Sequence, residues 1–172
     1  MIETNPHRLP RIVLPSHYAL ELEPDLAQRA VQVLVIIDLE VGEETHTIVL
    51  NAAELSVENV QVEQGALVQA SSISFDEDLE RATFTFPVVL QPGPAKLSCS
   101  FTGTLNDKLR GFYRSTWTDE EGNEKVIATT QFESTNARRA FPCFDEPDLK
   151  ASFGVTLRVD ESLMAISCGE LV

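Results

Sequence analysis

Basic residues and long apolar runs are both scarce in this sequence. Only 13 lysines and arginines stand against 27 aspartates and glutamates, so the 172 residues carry a formal net charge of −14. Nucleic acids and anionic membranes are bound through basic surfaces that displace counterions, and the charge balance argues against both partners. No apolar run approaches the roughly 20 residues of a membrane span. The first residues also lack the apolar stretch of a signal peptide.

Cysteine is also rare, and its pattern does not indicate a disulfide framework. The three cysteines, Cys99, Cys143 and Cys168, are widely spaced and include no C-x-x-C pair. An odd number of isolated cysteines is typical of buried free thiols in a reducing compartment. Together with the missing signal peptide, this pattern predicts a cytoplasmic protein.

Motifs of a self-contained active site are missing. The histidines, His7, His17 and His46, share no i, i+4 spacing, and the H-E-x-x-H pattern of a helical zinc site does not occur. There is no G-x-S-x-G elbow, no glycine-rich phosphate loop, and no histidine near Cys143 in sequence. We therefore predict neither a catalytic residue nor a metal ligand within this chain.

Alternation with a period of two residues dominates what is present. Between Val31 and Val41, every second residue is Val, Ile or Leu, and turn signals such as Glu121-Gly122-Asn123 separate the apolar runs. This predicts an all-β fold of antiparallel sheets, packed as a sandwich or a saddle, over residues 16–172, with residues 1–15 as an N-terminal arm. The predicted strands are residues 18–23, 31–41, 45–51, 55–63, 66–75, 80–87, 95–102, 112–118, 124–130 and 153–159, and residues 163–168 are a further segment that could pair with the last.

One segment, residues 129–147, T-T-Q-F-E-S-T-N-A-R-R-A-F-P-C-F-D-E-P, has neither a strand period nor a helical period. Asp145 and Glu146 are adjacent, so on an extended chain their side chains point in opposite directions, which excludes a glycosidase-like pair. We expect these carboxylates to cap the backbone or to form ion pairs with Arg138 or Arg139.

Gln131 and Glu133 in the same segment are two residues apart, so both would face one side while Phe132 points away and anchors the loop. Two interpretations follow from the residues alone. Glu133 could pair with Arg138 or Arg139 at a solvated strand end, worth roughly 0–1 kcal/mol. Alternatively, Gln131 and Glu133 could present a fixed amide and carboxylate to a ligand. Composition does not decide between them.

The same segment carries a specific resemblance. T-Q-F-E-S-T-N-A-R-R-A-F-P-C-F-D-E-P-D-L-K-A-S-F, residues 130–153, closely resembles the N-terminal domain of the aminopeptidase N family of zinc metallopeptidases. Further matches, in order, are R-L-P-R-I-V-L-P-S-H-Y-A-L-E-L at residues 8–22, I-V-L-N-A-A-E-L at 48–55 and L-N-D-K-L-R-G-F-Y-R-S at 105–115. Together they cover almost the whole chain.

The resemblance implies a β-rich, saddle-shaped domain that packs on a catalytic domain of the same polypeptide. In that family the catalytic domain carries the H-E-x-x-H zinc site, a further glutamate ligand and a G-A-M-E-N motif, none of which occurs here. We therefore expect zinc to be bound by that other domain and this chain to be inactive alone. We also expect the family's N-terminal domain to extend beyond Val172.

Substrate-binding roles for Gln131 and Glu133 are also implied by the resemblance. Glu133 would bind the free α-ammonium of a peptide substrate, and Gln131 would line the pocket for the first side chain. The resemblance further implies a cis peptide bond at Glu133–Ser134 and scaffolding roles for Phe141, Phe144 and Pro147. The alternative is a stand-alone β-sandwich interaction module without catalysis, which would have a polar, self-contained surface rather than an apolar docking patch.

Overall fold

The computed structural model describes residues 8–170. Its regular elements are strands and one short 3-10 helix at Ala137–Arg139. No α-helix occurs within the described range, so the all-β prediction is confirmed. The strands are β1 Val13–Asp25, β2 Ala30–Val41, β3 Thr45–Asn51, β4 Leu55–Gln64, β5 Ala66–Gln69, β6 Ser72–Asp76, β7 Arg81–Leu90, β8 Gly93–Thr104, β9 Gly111–Thr118, β10 Glu124–Gln131 and β11 Ser152–Leu157.

The strands of residues 8–170 form three sheets. The largest has the order β11-β1-β2-β8-β4-β5, a second has the order β3-β7-β6, and β9 and β10 form a two-stranded hairpin. All pairings are antiparallel except that of β1 with β11, which is parallel. The sequence patterns did not indicate this exception. A parallel pair requires a long crossover, and here most of the chain separates its two strands.

A single hydrophobic core lies between the two larger sheets. The alternating residues of β2, from Val31 to Val41, are all buried, as are Ala82, Phe84 and Phe86 of β7 in the facing sheet. These side chains belong to one contiguous cluster. Period-two alternation therefore identified the inward faces correctly, because each face of a strand collects every second side chain.

Two predicted segments differ from the structure. Residues 66–75 are two strands in different sheets, and the break lies where Ser71 donates from its N–H to the Thr85 carbonyl at 2.7 Å. Residues 163–168 form no strand. Instead the chain turns at Asp160, whose carboxylate accepts hydrogen bonds from the Ser162 N–H at 2.9 Å and hydroxyl at 2.6 Å. These bonds lower the pKa of Asp160.

The predicted N-terminal arm is only partly within the described residues, since residues 1–7 lie outside them. The remainder is attached to the domain: Leu9 is buried, and β1 begins at Val13, within the predicted arm and before the predicted strand at residues 18–23. No helix long and apolar enough to cross a membrane occurs in residues 8–170.

Candidate functional site

The two predicted binding residues lie at and just beyond the end of β10. Gln131 is the last residue of that strand, pairs with Gly111 of β9, and is exposed. Glu133 follows in a turn and is also exposed. The bond between Glu133 and Ser134 is cis, as the family resemblance implied.

Hydrogen bonds within the turn fix the backbone around Glu133. The Asn136 N–H donates to the Phe132 carbonyl at 2.8 Å, and the Asn136 side-chain amide donates to the Glu133 carbonyl at 3.2 Å. The Phe132 ring is half-buried and lies edge-on against Phe141, with ring centroids 5.9 Å apart. Phe132 therefore anchors the loop, as predicted, and Glu133 lies on a backbone that is held on both sides.

Arg138 and Arg139 hold the segment through ion pairs with three carboxylates. Arg138 Nε lies 2.9 Å from Asp145 Oδ2, and its Nη1 lies 3.2 Å from Glu80 Oε2. Arg139 Nη1 lies 2.6 Å from Glu54 Oε1, and its Nη2 pairs with Glu80 Oε1. Both arginine side chains are only 12% exposed, and the Arg138–Asp145 pair, in which both side chains are 12% exposed, is screened less than a surface pair.

The hypothesis that Glu133 pairs with one of these arginines is wrong. The Arg138 guanidinium binds Asp145 and Glu80 instead, and the Arg139 guanidinium binds Glu54 and Glu80. Within residues 8–170, the Glu133 carboxylate forms no ion pair with any lysine, arginine or histidine. The Glu133 carboxylate is therefore exposed to solvent at a place that a ligand could reach.

The end of β3 provides the platform for the segment. Asn51 and Cys143 exchange two backbone hydrogen bonds, of 2.8 and 3.0 Å, and the Ala53 N–H donates to the Arg138 carbonyl at 3.0 Å. The buried Asn51 side chain accepts a further bond from the Asp145 N–H at 3.2 Å. Sequence reasoning missed Asn51, Glu54 and Glu80. The only signal was that each stands next to the end of a predicted strand.

Aromatic residues pack behind the platform. Phe141 and Phe144 are buried, as their predicted scaffolding role requires. Pro147 is exposed, in contrast to the prediction, and lies at the rim of a shallow cavity of about 170 Å³ that Ser134 and Phe153 also line.

Cys143 is a buried free thiol, and burial, aided by the charge of Asp145, raises its pKa well above the ordinary value.

Asp145 and Glu146 point in opposite directions, as the extended chain predicted. Asp145 pairs with Arg138, whereas Glu146 turns toward the N-terminal residues. Its side chain is 8% exposed and lies 2.8 Å from Arg8 Nη1 and 2.6 Å from Arg11 Nη2. Of the two roles expected for Glu146, the ion pair with Arg138 or Arg139 was wrong, because its arginine partners come from 138 and 135 residues earlier in the chain. The expected bond to the backbone is present, since the Leu9 N–H donates to Glu146 Oε1 at 2.5 Å.

Zinc does not fit the described residues. His17 hydrogen-bonds the Ser152 hydroxyl at 2.8 Å, and His46 lies 3.3 Å from the Phe86 carbonyl. His7 lies outside residues 8–170, and within that range no three His, Cys, Asp or Glu side chains are grouped so that they could hold a metal ion. The buried thiols of Cys99 and Cys143 have raised pKa values, which disfavours the thiolate that a metal requires.

The chain is similar to known proteins over almost its whole length. Residues 14–171 match the family model of the peptidase M1 N-terminal domain. The chain is 43% identical over 162 residues to a puromycin-sensitive aminopeptidase of Caenorhabditis elegans, covering 93% of this chain and 17% of that protein. It is 43% identical over 166 residues to aminopeptidase M1 of Arabidopsis thaliana, covering 93% and 19%.

A yeast aminopeptidase is similar to this chain to about the same extent. The chain is 40% identical over 174 residues to aminopeptidase 2, mitochondrial, of Saccharomyces cerevisiae, covering 97% of this chain and 18% of that protein. The chain thus spans less than a fifth of the length of these curated relatives.

Proposed function

The chain belongs to the family of peptidase M1 N-terminal domains, and on that premise we propose that it anchors the substrate of a zinc aminopeptidase. The parent enzyme releases single residues from peptide N-termini. Glu133 binds the α-ammonium group of the peptide, and Gln131 lines the pocket for its first side chain. Zinc, held by the catalytic domain of the same polypeptide, supplies an activated water, and this chain alone is inactive.

The observation that carries the proposal is the carboxylate of Glu133, which forms no ion pair within residues 8–170 and lies on a fixed turn. Two arginines lie five and six residues away in sequence, yet they bind Glu54, Glu80 and Asp145. An ammonium at about 4 Å from the free carboxylate would gain about 4 kcal/mol of gross attraction at an effective dielectric of 20. Desolvation offsets part of this gain. A carboxylate that holds the α-ammonium at a fixed distance from the zinc would place the first peptide bond at the metal, which favours release of a single residue.

Exposed apolar side chains support a docked catalytic domain over the stand-alone module. They follow one another from β11 to the end of the described residues, and a self-contained module would have a polar surface there. We propose that the rest of the parent polypeptide, including the catalytic domain, covers them. They are Phe153 (55% exposed), Val155 (42%), Val159 (37%), Leu163 (43%), Met164 (86%) and Ile166 (79%).

A cytoplasmic location is part of the proposal. Cys99 and Cys143 are buried thiols without a disulfide partner. Free thiols of this kind are usual in reducing compartments, which supports this location.

Steady-state kinetics of the full-length enzyme test the role of Glu133. Glu133→Ala should raise KM strongly for substrates with a free N-terminus, because it removes the charge that binds the ammonium. Glu133→Gln should raise KM less, since the amide oxygen still accepts a hydrogen bond. Glu120→Ala is a suitable control, because Glu120 is exposed on the β9–β10 hairpin and forms no ion pair within residues 8–170. Unchanged kinetics in both Glu133 variants would refute the proposal.

A further inference from the structure

We propose that Arg139 is a positioning residue, which sets the places of Gln131 and Glu133 without touching the substrate. This inference rests on the proposed function, because it names what holds the two binding residues. Three sets of contacts support the inference. The Arg139 side chain binds Glu54 and Glu80, its Cβ atom packs on Gly111, and its backbone N–H donates to Asn136.

The Arg139 side chain joins two separate loops. Its Nη1 pairs with Glu54, which follows β3, and its Nη2 pairs with Glu80, which precedes β7. Both glutamates have a left-handed backbone, with φ of 59° at Glu54 and 51° at Glu80. A guanidinium engages two carboxylates at once with fixed directions, whereas a lysine ammonium does not present this planar fork. The position of Arg139 is therefore set by the β-sheet framework.

The backbone of Arg139 packs directly on the residue opposite Gln131. Gly111 pairs with Gln131 across the hairpin and has φ of 70°. A Cβ atom added at Gly111 would lie 2.8 Å from the Arg139 Cβ, a separation that real Cβ contacts essentially never show. The hairpin end that carries Gln131 therefore rests against Arg139 with no space between them.

A short series of hydrogen bonds leads from Arg139 to Glu133. The Arg139 N–H donates to the Asn136 carbonyl at 3.1 Å, and the Asn136 side-chain amide donates to the Glu133 carbonyl at 3.2 Å. Arg139 thus reaches Gln131 through Gly111 and Glu133 through Asn136. A small shift of Arg139 displaces both binding residues, and displacements of about 1 Å can cost 10²-fold in rate.

Arg138 provides a matched comparison within the same turn. It is equally buried, with 12% side-chain exposure, and it shares Glu80 with Arg139. Its other contacts, however, are with Asp145 and with the Ala53 N–H, on the side of β3. Loss of Arg138 should affect stability in the same way, without directly reaching the hairpin end or the turn of Glu133.

A double-mutant cycle in the full-length enzyme tests the inference. Arg139→Lys and Arg138→Lys are each made in the wild type and in Glu133→Ala, and kcat and KM are measured with an aminoacyl p-nitroanilide. We expect Arg139→Lys to raise KM about tenfold in the wild type and less than twofold in Glu133→Ala, because the charged contact of Glu133 is then absent and only the weaker contact of Gln131 remains to be displaced. Arg138→Lys should change KM less than threefold, and equally in both backgrounds.

The outcomes separate this inference from the proposed function. Suppose that Glu133→Ala raises KM as expected, but Arg139→Lys raises KM by the same factor in the wild type and in Glu133→Ala. That result overturns the positioning role of Arg139 and leaves the proposed function intact. An unchanged KM in Glu133→Ala overturns the proposed function and the inference with it. If Arg139→Lys does not fold, Gly111→Ala pushes on the same Cβ contact from the other side. Because Gly111 pairs with Gln131, the effect of Gly111→Ala on KM should disappear in the Gln131→Ala, Glu133→Ala double variant, and an undiminished effect there contradicts the inference.

Discussion

The hydroxyl oxygen of Tyr18 accepts a hydrogen bond of 3.1 Å from the backbone N–H of Phe144, a residue 126 positions later in the chain. The bond is buried and joins β1 to the loop behind the candidate site. The Tyr18 ring also stacks on Phe153 of β11, with centroids 4.8 Å apart. One side chain of β1 thus holds both the loop and the parallel edge strand.

Tyr18→Phe should therefore destabilise the chain while keeping the ring in place. The substitution leaves the buried Phe144 N–H without a partner, which costs about 1–3 kcal/mol. For a protein of this size we expect a fall in Tm of about 2–4 °C per kcal/mol, measured by calorimetry. Tyr113→Phe is the control, because the Tyr113 hydroxyl forms no hydrogen bond within residues 8–170. Equal Tm values for the two variants would contradict the role of this bond.

Alkaline pH should destabilise the chain through its buried thiols. Burial raises the pKa of Cys99 from its ordinary value of 9.0 to about 12, and it raises that of Cys143 well above 9.0. Above pH 9 the unfolded thiols ionise while the folded ones keep their protons. The stabilisation is therefore complete below pH 9 and is lost as pH rises toward the folded pKa values.

Urea titrations between pH 8 and 11 measure this loss. Each buried thiol should lower the free energy of unfolding by about 1.4 kcal/mol per pH unit above its unfolded pKa. Cys99→Ala should make the dependence on pH shallower, although the cavity lowers stability at every pH. Cys168→Ala should leave the slope unchanged, because Cys168 is exposed. A Cys99→Ala slope equal to that of the wild type would show that the thiol does not contribute.

The strands and their inward faces could be predicted because they depend on local alternation. The β9–β10 hairpin, for example, was placed to within one residue at each end, since Gly122 and the Asp119 carboxylate form its turn locally. The parallel pairing of β11 with β1 could not be predicted in this way, because the alternation within a strand does not indicate which other strand it pairs with. The same limit explains why residues 163–168, despite their apolar residues, were wrongly expected to pair.

Some residues of the candidate site could be predicted from the sequence and others could not. Gln131 and Glu133 were identified by the family resemblance, since their residue types alone left two interpretations open. Asp145 was expected to pair with Arg138 or Arg139, and it does pair with Arg138. Glu54 and Glu80 were not identified, because they lie about 60 to 85 residues away in the sequence. Partners at such separations are brought together only by the arrangement of the sheets.

Glu146→Ala should release the N-terminal residues from the domain. The Glu146 carboxylate accepts hydrogen bonds from Arg8, Arg11 and the Leu9 N–H, the last at 2.5 Å. Without it, we expect trypsin to cleave after Arg11 several-fold faster, as followed by mass spectrometry. Asp148→Ala is the matched control, because Asp148 pairs with the same arginines but is 52% exposed. Equal cleavage rates in the two variants would show that Glu146 does not hold this segment.

Gly111→Ala should cost more stability than Gly122→Ala. Both glycines have a left-handed backbone, with φ of 70° and 86°, so each alanine incurs about 1–2 kcal/mol of backbone strain. At Gly111 the new methyl group also meets the Arg139 Cβ at 2.8 Å, whereas nothing lies within 4 Å at Gly122. Urea denaturation should therefore show a larger loss for Gly111→Ala. An equal loss would mean that the backbone yields at this contact.

The central claim is that Glu133 recognises the α-ammonium of the substrate, and a pair of inhibitors tests it most directly. One inhibitor carries a free α-ammonium and the other is its des-amino analogue, and Ki is measured for both with the full-length enzyme and with Glu133→Ala. A charged hydrogen bond is worth about 1.5–3 kcal/mol, so the wild type should prefer the amine by about ten- to a hundredfold. We predict that the preference falls to near unity in Glu133→Ala. An equal preference in both enzymes would contradict the account.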